Sequence, residues 1–404
     1  MPIICWSSLG KAADDATTID EEITEYIKRH DEDINAHMGE GYSLGVHRLQ
    51  TVLDHMPYSV LNTFIYPQSR TYKAIVDPAG FGDASDIQSA IDYVSGLGGG
   101  TVFIKSGTYL MTADIVIPSN ITLEGEDNDS VIIDGNNSGY KLKCVGVSEA
   151  NIRNVHFVNL NIRNFTFASS DGAINLLYCR DFSIRNCKFS DNVCSGADVV
   201  ADIFINYGDK GEIKSNYSDA SSSHIIMTTC IDVLVLHNQV ENPIDGGIRI
   251  MGGLCSLLLG NAIRGSNGYG FIVNDLYETR IIGNFVVSAD VVGILVGESL
   301  ACGGVVISGN QFASHGNTSC EAIKVASGSN TTVISGNSIS GNHSKGVYLE
   351  DADYTDINGN SIVADSVGGA VVIDAGCSKN LVVGNILYNG YTNNGTDSLI
   401  ANNI

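Results

Sequence analysis

The sequence predicts an all-β fold, a single-stranded right-handed parallel β-helix, and three observations predict it. An Asn returns once per coil, an alternating apolar phrase returns in the same frame, and Gly (45) far outnumbers Pro (6). The Asn stands in nearly the same local phrase at Asn154, Asn186, Asn216, Asn238, Asn261, Asn284, Asn310, Asn337, Asn360 and Asn385, at steps of 22 to 32 residues. A period of this size, with β-forming apolar residues on both sides, marks a solenoid. Asn at such a turn tolerates a left-handed backbone and bonds to the Asn of the coils above and below. The ladder is therefore read as a structural device.

The alternating phrase runs from AINL (173–176) through DIFI (202–205), HIIM (224–227), GIRI (247–250), GFIV (270–273), GILV (293–296), AIKV (322–325) and GVYL (346–349) to AVVI (370–373). Its second and fourth residues are apolar and point into the coil, because side chains alternate across a strand. The third residues then form an outward column: Asn175, Phe204, Ile226, Arg249, Ile272, Leu295, Lys324, Tyr348, Val372. Successive coils stack about 4.8 Å apart.

Composition sets the outer bounds. A chain of 404 residues would ordinarily suggest several domains, but a solenoid grows without that limit because each coil touches only its neighbours. The balance of 45 acidic to 22 basic residues gives a net charge of −23, which argues against nucleic acid or an anionic membrane as partner. No apolar run reaches the roughly 18 residues of a membrane span. The opening MPIICWSSLGK has no basic n-region, so no classical signal peptide is expected. A product acting outside a cell would then leave by another route, such as viral lysis.

Cys179, Cys230, Cys255, Cys302 and Cys377 each precede a ladder Asn by six to eight residues, which places them in one turn column; Cys187 follows Asn186 directly. Buried reduced thiols are expected, since Cys packs as a small hydrophobe. No CxxC pair or Cys/His ligand spacing occurs, so neither a metal site nor a cofactor is called for.

Three regions follow in order. Residues 1–70 hold two helical patterns, TTIDEEITEYIKRHDEDINAH and SLGVHRLQTVLDHM, too short and polar for a core of their own. They predict an oligomerisation or attachment segment. Residues 71–135 hold the amphipathic helix DIQSAIDYV, apolar at Ile87, Ala90, Ile91 and Val94, then the strands TVFI, GTYL and ITLEG. A helix laid over the first coil hides an otherwise exposed sheet edge. Residues 136–404 are the coils, with loops expected at 169–172, 190–198 and 206–224, and a polar tail that ends the helix without a large cap.

The second region resembles the N-terminal cap of the pectate-lyase-like β-helix superfamily. The matching residues are Ile87-Gln88-Ser89-Ala90-Ile91, Gly98–Val102, Gly107–Tyr109 and Ile121–Glu126. The resemblance implies the fold but not the reaction, because the superfamily holds lyases, hydrolases, epimerases and non-catalytic spikes. The phrase at 34–65, with the helical segment and acidic charge, also resembles phage and virus tailspike or tail fibre proteins. That likeness implies a homotrimer, in a virion or extracellular, with other virion tail proteins bound through 1–70.

The polygalacturonase motif set is absent, although Gly246-Gly247-Ile248-Arg249-Ile250 mimics part of it, and the Asp-Pro-His motif of alginate epimerases is absent too. Geometry supplies the remaining candidates. Asp275 and Glu298 lie 23 residues apart, one coil, at the roughly 5 Å spacing of a retaining glycosidase pair. A second set, Asp202, His224, Asp245 and Arg249, joins a His near carboxylates to a guanidinium able to neutralise a uronate. Tyr207, Tyr269, Tyr277, Lys324 and Tyr348 are candidates for holding sugar. The expected function is binding, with cleavage by hydrolysis favoured over elimination, of a cell-surface polysaccharide. A non-enzymatic adhesive β-helix and a uronate lyase are the alternatives, and aromatics at 7% with a single Trp6 weaken the sugar case.

Overall fold

The computed structural model describes residues 72–148, 151–196, 200–314, 320–326, 328–364 and 369–404, and Thr71–Ile404 form one compact unit. The helical segment expected over 1–70 lies outside the described residues. Each coil contributes three strands, and the described strands stack in parallel into three long ladders, called sheets below; the first and third join through the Asp209–Ile231 pairing into one 26-stranded sheet, and the second belongs to a 13-stranded one. The first sheet runs from Tyr72–Val76 and Gly100–Ile104 to Leu399–Ala401. The second runs from Gly107–Leu110 to Ile386–Leu387, and the third from Ile115–Val116 to Tyr391–Asn393. No described helix is long and apolar enough to cross a membrane.

The alternating phrases form the third sheet in the expected frame. Ile174, Ile203, Ile225, Ile248, Phe271, Ile294, Ile323, Val347 and Val371 are register partners on successive coils, and all are buried. Like side chains stacked at one coil spacing fill the tube without gaps, so one apolar core runs along the described coils.

Helix α1 (Ile87–Gly96) closes the first coil. Asp86 caps it by accepting from Ser89 N at 2.8 Å, and Ile87, Ala90, Ile91 and Val94 are buried as the pattern predicts. Strand Val131–Ser138 runs across residue 135, with a register shift between Asp134 and Ser138 in its pairing to Asn161–Phe167.

The ladder differs from expectation in two ways. Each Asn side chain donates to the next Asn Oδ1 at 2.9–3.0 Å, from Asn216 through Asn238, Asn261, Asn284, Asn310, Asn337, Asn360 and Asn385 to Asn403. Asn186 is one residue out of frame, because Cys187 N is the group bonded to Asn216 Oδ1, and Asn154 pairs instead with Asn120 on the surface. The left-handed backbone also falls one residue earlier, at Ser215, His237, Gly260, Gly283, Gly309, Gly336, Gly359 and Gly384. This explains the repeated Gly-Asn: Gly makes the turn and Asn, just inside, is buried and bonded.

Of the three expected loops, only part of 190–198 departs from the coil, as the short extra strand Val193–Cys194. Strand Asp171–Leu177 begins inside 169–172, and 206–224 contains two ordinary strands, Asp209–Lys214 and Tyr217–Asp219. Cys179, Cys230, Cys302 and Cys377 are buried, but Cys255 is exposed, two residues beyond the Gly253 that pairs with Cys230.

Candidate functional site

The outward column of the third sheet is in register from Asn175 to Val372 as expected, but it is not an open face. Ile226, Ile272, Leu295, Tyr348 and Val372 are all buried. Charge breaks this apolar stripe at Arg249. Its Nη2 lies 3.5 Å from Glu298 Oε1, so the ion pair bridges the coil that carries Ile272. Asp245 stands four residues ahead of Arg249 and is exposed. Desolvation pushes its carboxyl above the usual carboxylate range, and the Arg249 charge opposes that rise.

One residue from each expected set thus meets the other. Asp275 and Glu298 begin one coil apart, yet no hydrogen bond or ion pair joins them among the described residues. After Val296 the chain turns through Gly297 (φ 76°), and Asn274 Oδ1 holds the new direction by accepting from Ser299 N and Leu300 N. Glu298 is thereby turned toward Arg249. Asp275 remains exposed on the corner leading to the first sheet.

Asp202 and His224 require a correction. They are neighbours on successive coils as expected, but both are fully buried inside the tube. Asp202 Oδ2 accepts from Ser218 Oγ and lies 2.9 Å from His224 Nδ1, while Oδ1 accepts from Asn192 Nδ2 at 2.8 Å. At the entry to the third sheet this position faces the second sheet instead of solvent, with Ser218 against Asp202 and Phe189 against His224. Later coils hold Gly247, Gly270 and Gly293 there, where a Cβ would collide with Ile263, Val286 or Phe312. A His and an Asp in this place cannot reach a polysaccharide.

The remaining candidates divide by exposure. Tyr207 and Tyr277 are 44% and 53% exposed, whereas Tyr269 packs half-buried against Ile272, Val292 and Leu295. Lys324 pairs with Glu350 at 2.6 Å. Tyr348 lies between Lys345 and Lys324, whose Nζ atoms are 3.3 and 5.2 Å from its ring centroid, and its hydroxyl donates to Asp374. Burial, then the bond to Asp374, push that phenol well above its ordinary value. Asp374 and the Tyr178 ring stacked on Tyr207 were not foreseen from the sequence.

Fold and surface together define a pectate-lyase-like right-handed parallel β-helix. Residues 77–242 match the family described as rhamnogalacturonase A/epimerase, pectate lyase-like, and residues 172–333 match the right handed beta helix region. Residues 315–403 match the periplasmic copper-binding protein (NosD). In that span Cys320 Sγ and His343 Nδ1 approach to 3.6 Å, but among the described residues no group of three or more His, Cys, Asp or Glu is placed to hold a metal ion.

Among solved structures, the A-module of mannuronan C-5 epimerase AlgE6 from Azotobacter vinelandii is similar at 16% identity and a TM-score of 0.56, covering 78% of this chain and 94% of that one. DFA-IIIase from Arthrobacter chlorophenolicus A6, without its lid and in complex with GF2, is similar at 12% identity and a TM-score of 0.62, covering 76% and 93%. At these identities the likeness is one of fold. No curated protein sequence matches the chain.

Proposed function

We propose that this protein is a tailspike-type β-helix that binds and hydrolyses a cell-surface polysaccharide along the outer face of its third sheet. The observation that carries the reading is the Arg249–Glu298 ion pair on that face, with Asp245, whose carboxyl is raised and feels the Arg249 charge, at the start of the Arg249 strand. A carboxyl held above its usual range suits a general acid, and Glu298 supplies a second carboxylate for the role of base or nucleophile. The two similar solved structures lend support, one being named for action on mannuronan and the other holding GF2. In this reading the chain is a homotrimer, virion-borne or extracellular, with residues 1–70 serving trimerisation and attachment to other tail proteins.

Elimination from uronates loses its expected base, because His224 is sealed in the core, and Arg249 is already engaged by Glu298. A non-enzymatic adhesive keeps one observation in its favour: much of the outer column is buried, which narrows the room for a cleft.

The test is depolymerisation of capsular and lipopolysaccharide glycans by the full chain and by Asp245→Asn and Glu298→Gln. Each substitution should lower turnover by about 10²-fold or more while glycan binding persists. Retained turnover in both variants would remove the catalytic assignment, and binding without turnover in the wild type would leave an adhesin. Light scattering on the full chain should give three times the chain mass; a monomer would sink the tailspike reading.

A further inference from the structure

The corner between the third and first sheets carries a column of left-handed residues on successive coils. They are Tyr178 (φ 50°), Tyr207 (φ 58°), Thr229 (φ 54°), Gly252 (φ 73°) and Asp275 (φ 56°). Gly252 meets that backbone without steric cost, whereas bulky side chains rarely adopt it. Two consecutive tyrosines are therefore a costly choice for a turn, and their rings make a particular object. The centroids lie 4.5 Å apart and the planes within 3° of parallel. That separation is close to the coil spacing of about 4.8 Å, so the ring normals run along the axis of the β-helix.

One face of Tyr207 is thus covered by Tyr178, and the other looks along the axis toward Thr229 and Gly252. Neither is long enough to continue the stack, and Thr229 is exposed. Side chains resume at Asp275, also exposed, three coil steps or about 14 Å beyond Tyr207. The result is a notch two coils tall with an aromatic roof, a hydroxyl on its wall and a carboxylate at its floor. Asp232 and Glu278, in the next column, flank the same side, and both are exposed.

We infer that this notch is a subsite for an uncharged pyranose ring. The apolar face of the sugar would stack on Tyr207 and its hydroxyls would exchange hydrogen bonds with Thr229 Oγ1, while Asp275, two coils further on, would face the residue that follows it in the glycan. An aromatic face needs a ligand with an apolar face of its own, and the polar floor needs hydroxyls. The three carboxylates Asp232, Asp275 and Glu278 outnumber the neighbouring cations Lys210 and Arg280, a balance that disfavours a uronate or sialic acid and favours the neutral ring. The inference rests on the polysaccharide reading above and adds to it a position and a class of sugar.

The test uses the full chain with maltohexaose, cellohexaose, xylohexaose and hexagalacturonate as probes, read by calorimetry and by saturation-transfer NMR. At least one neutral hexasaccharide should bind the wild type. Tyr207→Ala should weaken it by up to about tenfold, while Tyr207→Phe, which keeps the ring, should change it little. Thr229→Tyr is the sharper variant. It extends the stack by one coil on backbone that already accepts Tyr at 178 and 207, so the fold survives and the notch is filled. Binding should be lost.

Neutral-sugar binding that is unchanged in both Thr229→Tyr and Tyr207→Ala overturns the notch and leaves the polysaccharide reading standing. So does a wild type that binds only hexagalacturonate. A wild type that binds none of these probes, nor any capsular or lipopolysaccharide glycan, overturns both.

Discussion

The coils between Asp171 and Ile231 and those between Gly246 and Ile373 share the same three strands, yet they fill equivalent positions differently. In the later coils the entry to the third sheet holds Gly247, Gly270, Gly293, Ala322, Gly346 and Ala370, because the second sheet presses close: a Cβ on Gly346 would lie 2.2 Å from Ile362 Cγ2. In the earlier coils the same position holds Asp202 and His224. The wall facing Asp202 shrinks there to Ser218, which also hydrogen-bonds it. The corner column differs as well, with Tyr178 and Tyr207 early and Gly252 and Asp275 later. A departure from the repeat is thus not by itself a sign of chemistry. The inward exceptions form a sealed polar knot, and the outward ones form surface available to a ligand.

The largest effect tests that sealed knot. Asp202→Ala leaves Ser218, His224 and Asn192 without their shared acceptor in a dry interior, and should cost about 3–5 kcal/mol. Asp202→Asn keeps the shape and part of the bonding and should cost less. Urea unfolding of the full chain reads both. A loss under about 1 kcal/mol for the Ala variant would mean that the buried polar knot adds little to the stability of the early coils.

The later coils hold a buried histidine too, but without a carboxylate. His343 has its Nδ1 3.6 Å from Cys320 Sγ, and its Nε2 has no hydrogen-bond partner. Burial lowers its pKa from 6.5 to about 4. The folded state therefore binds fewer protons than the unfolded chain between these values, and stability falls as pH drops through that window. The loss reaches about 3 kcal/mol once pH is below 4. His343→Gln removes this titration, so any stability deficit of the variant at pH 7 should shrink or reverse by pH 4. Parallel pH curves for the two proteins would show that His343 is not kept neutral by the fold.

Most of the fold was legible because the coil repeat is written twice, in the apolar alternation of the third sheet and in the Asn period at the turn between the first and second sheets, and both depend only on neighbouring residues. The cap was legible for the same reason, since Ile87, Ala90, Ile91 and Val94 make one helical face. The site was legible only as a list of residues. Which face Asp202 takes depends on the small Ser218 across the tube, which also hydrogen-bonds it, and no local pattern carries that. The turn at Gly297 that swings Glu298 away from Asp275 and toward Arg249 depends on Asn274 capping Ser299 and Leu300, contacts made only once the coil is built. The Tyr178–Tyr207 stack needs the register of two coils 29 residues apart, which the irregular early steps conceal.

The smallest effect separates true ladder positions from look-alikes. Asn310 Oδ1 accepts from Asn284 N at 2.8 Å and from Asn284 Nδ2 at 3.0 Å, and its own amide donates to Ile281 O and Asn337 Oδ1. All of this is buried, so Asn310→Ala strands donors and acceptors on three coils and should cost about 2 kcal/mol. Asn154 belongs to the same sequence phrase but lies on the surface with a single bond to Asn120, and Asn154→Ala should fall within about 0.5 kcal/mol of wild type. Equal losses at the two positions would mean that the phrase itself, and not the stacked amide, stabilises the coil. The early coils, where Cys187 N is the group bonded to Asn216 Oδ1, would then owe their stability to the same source as the later ones.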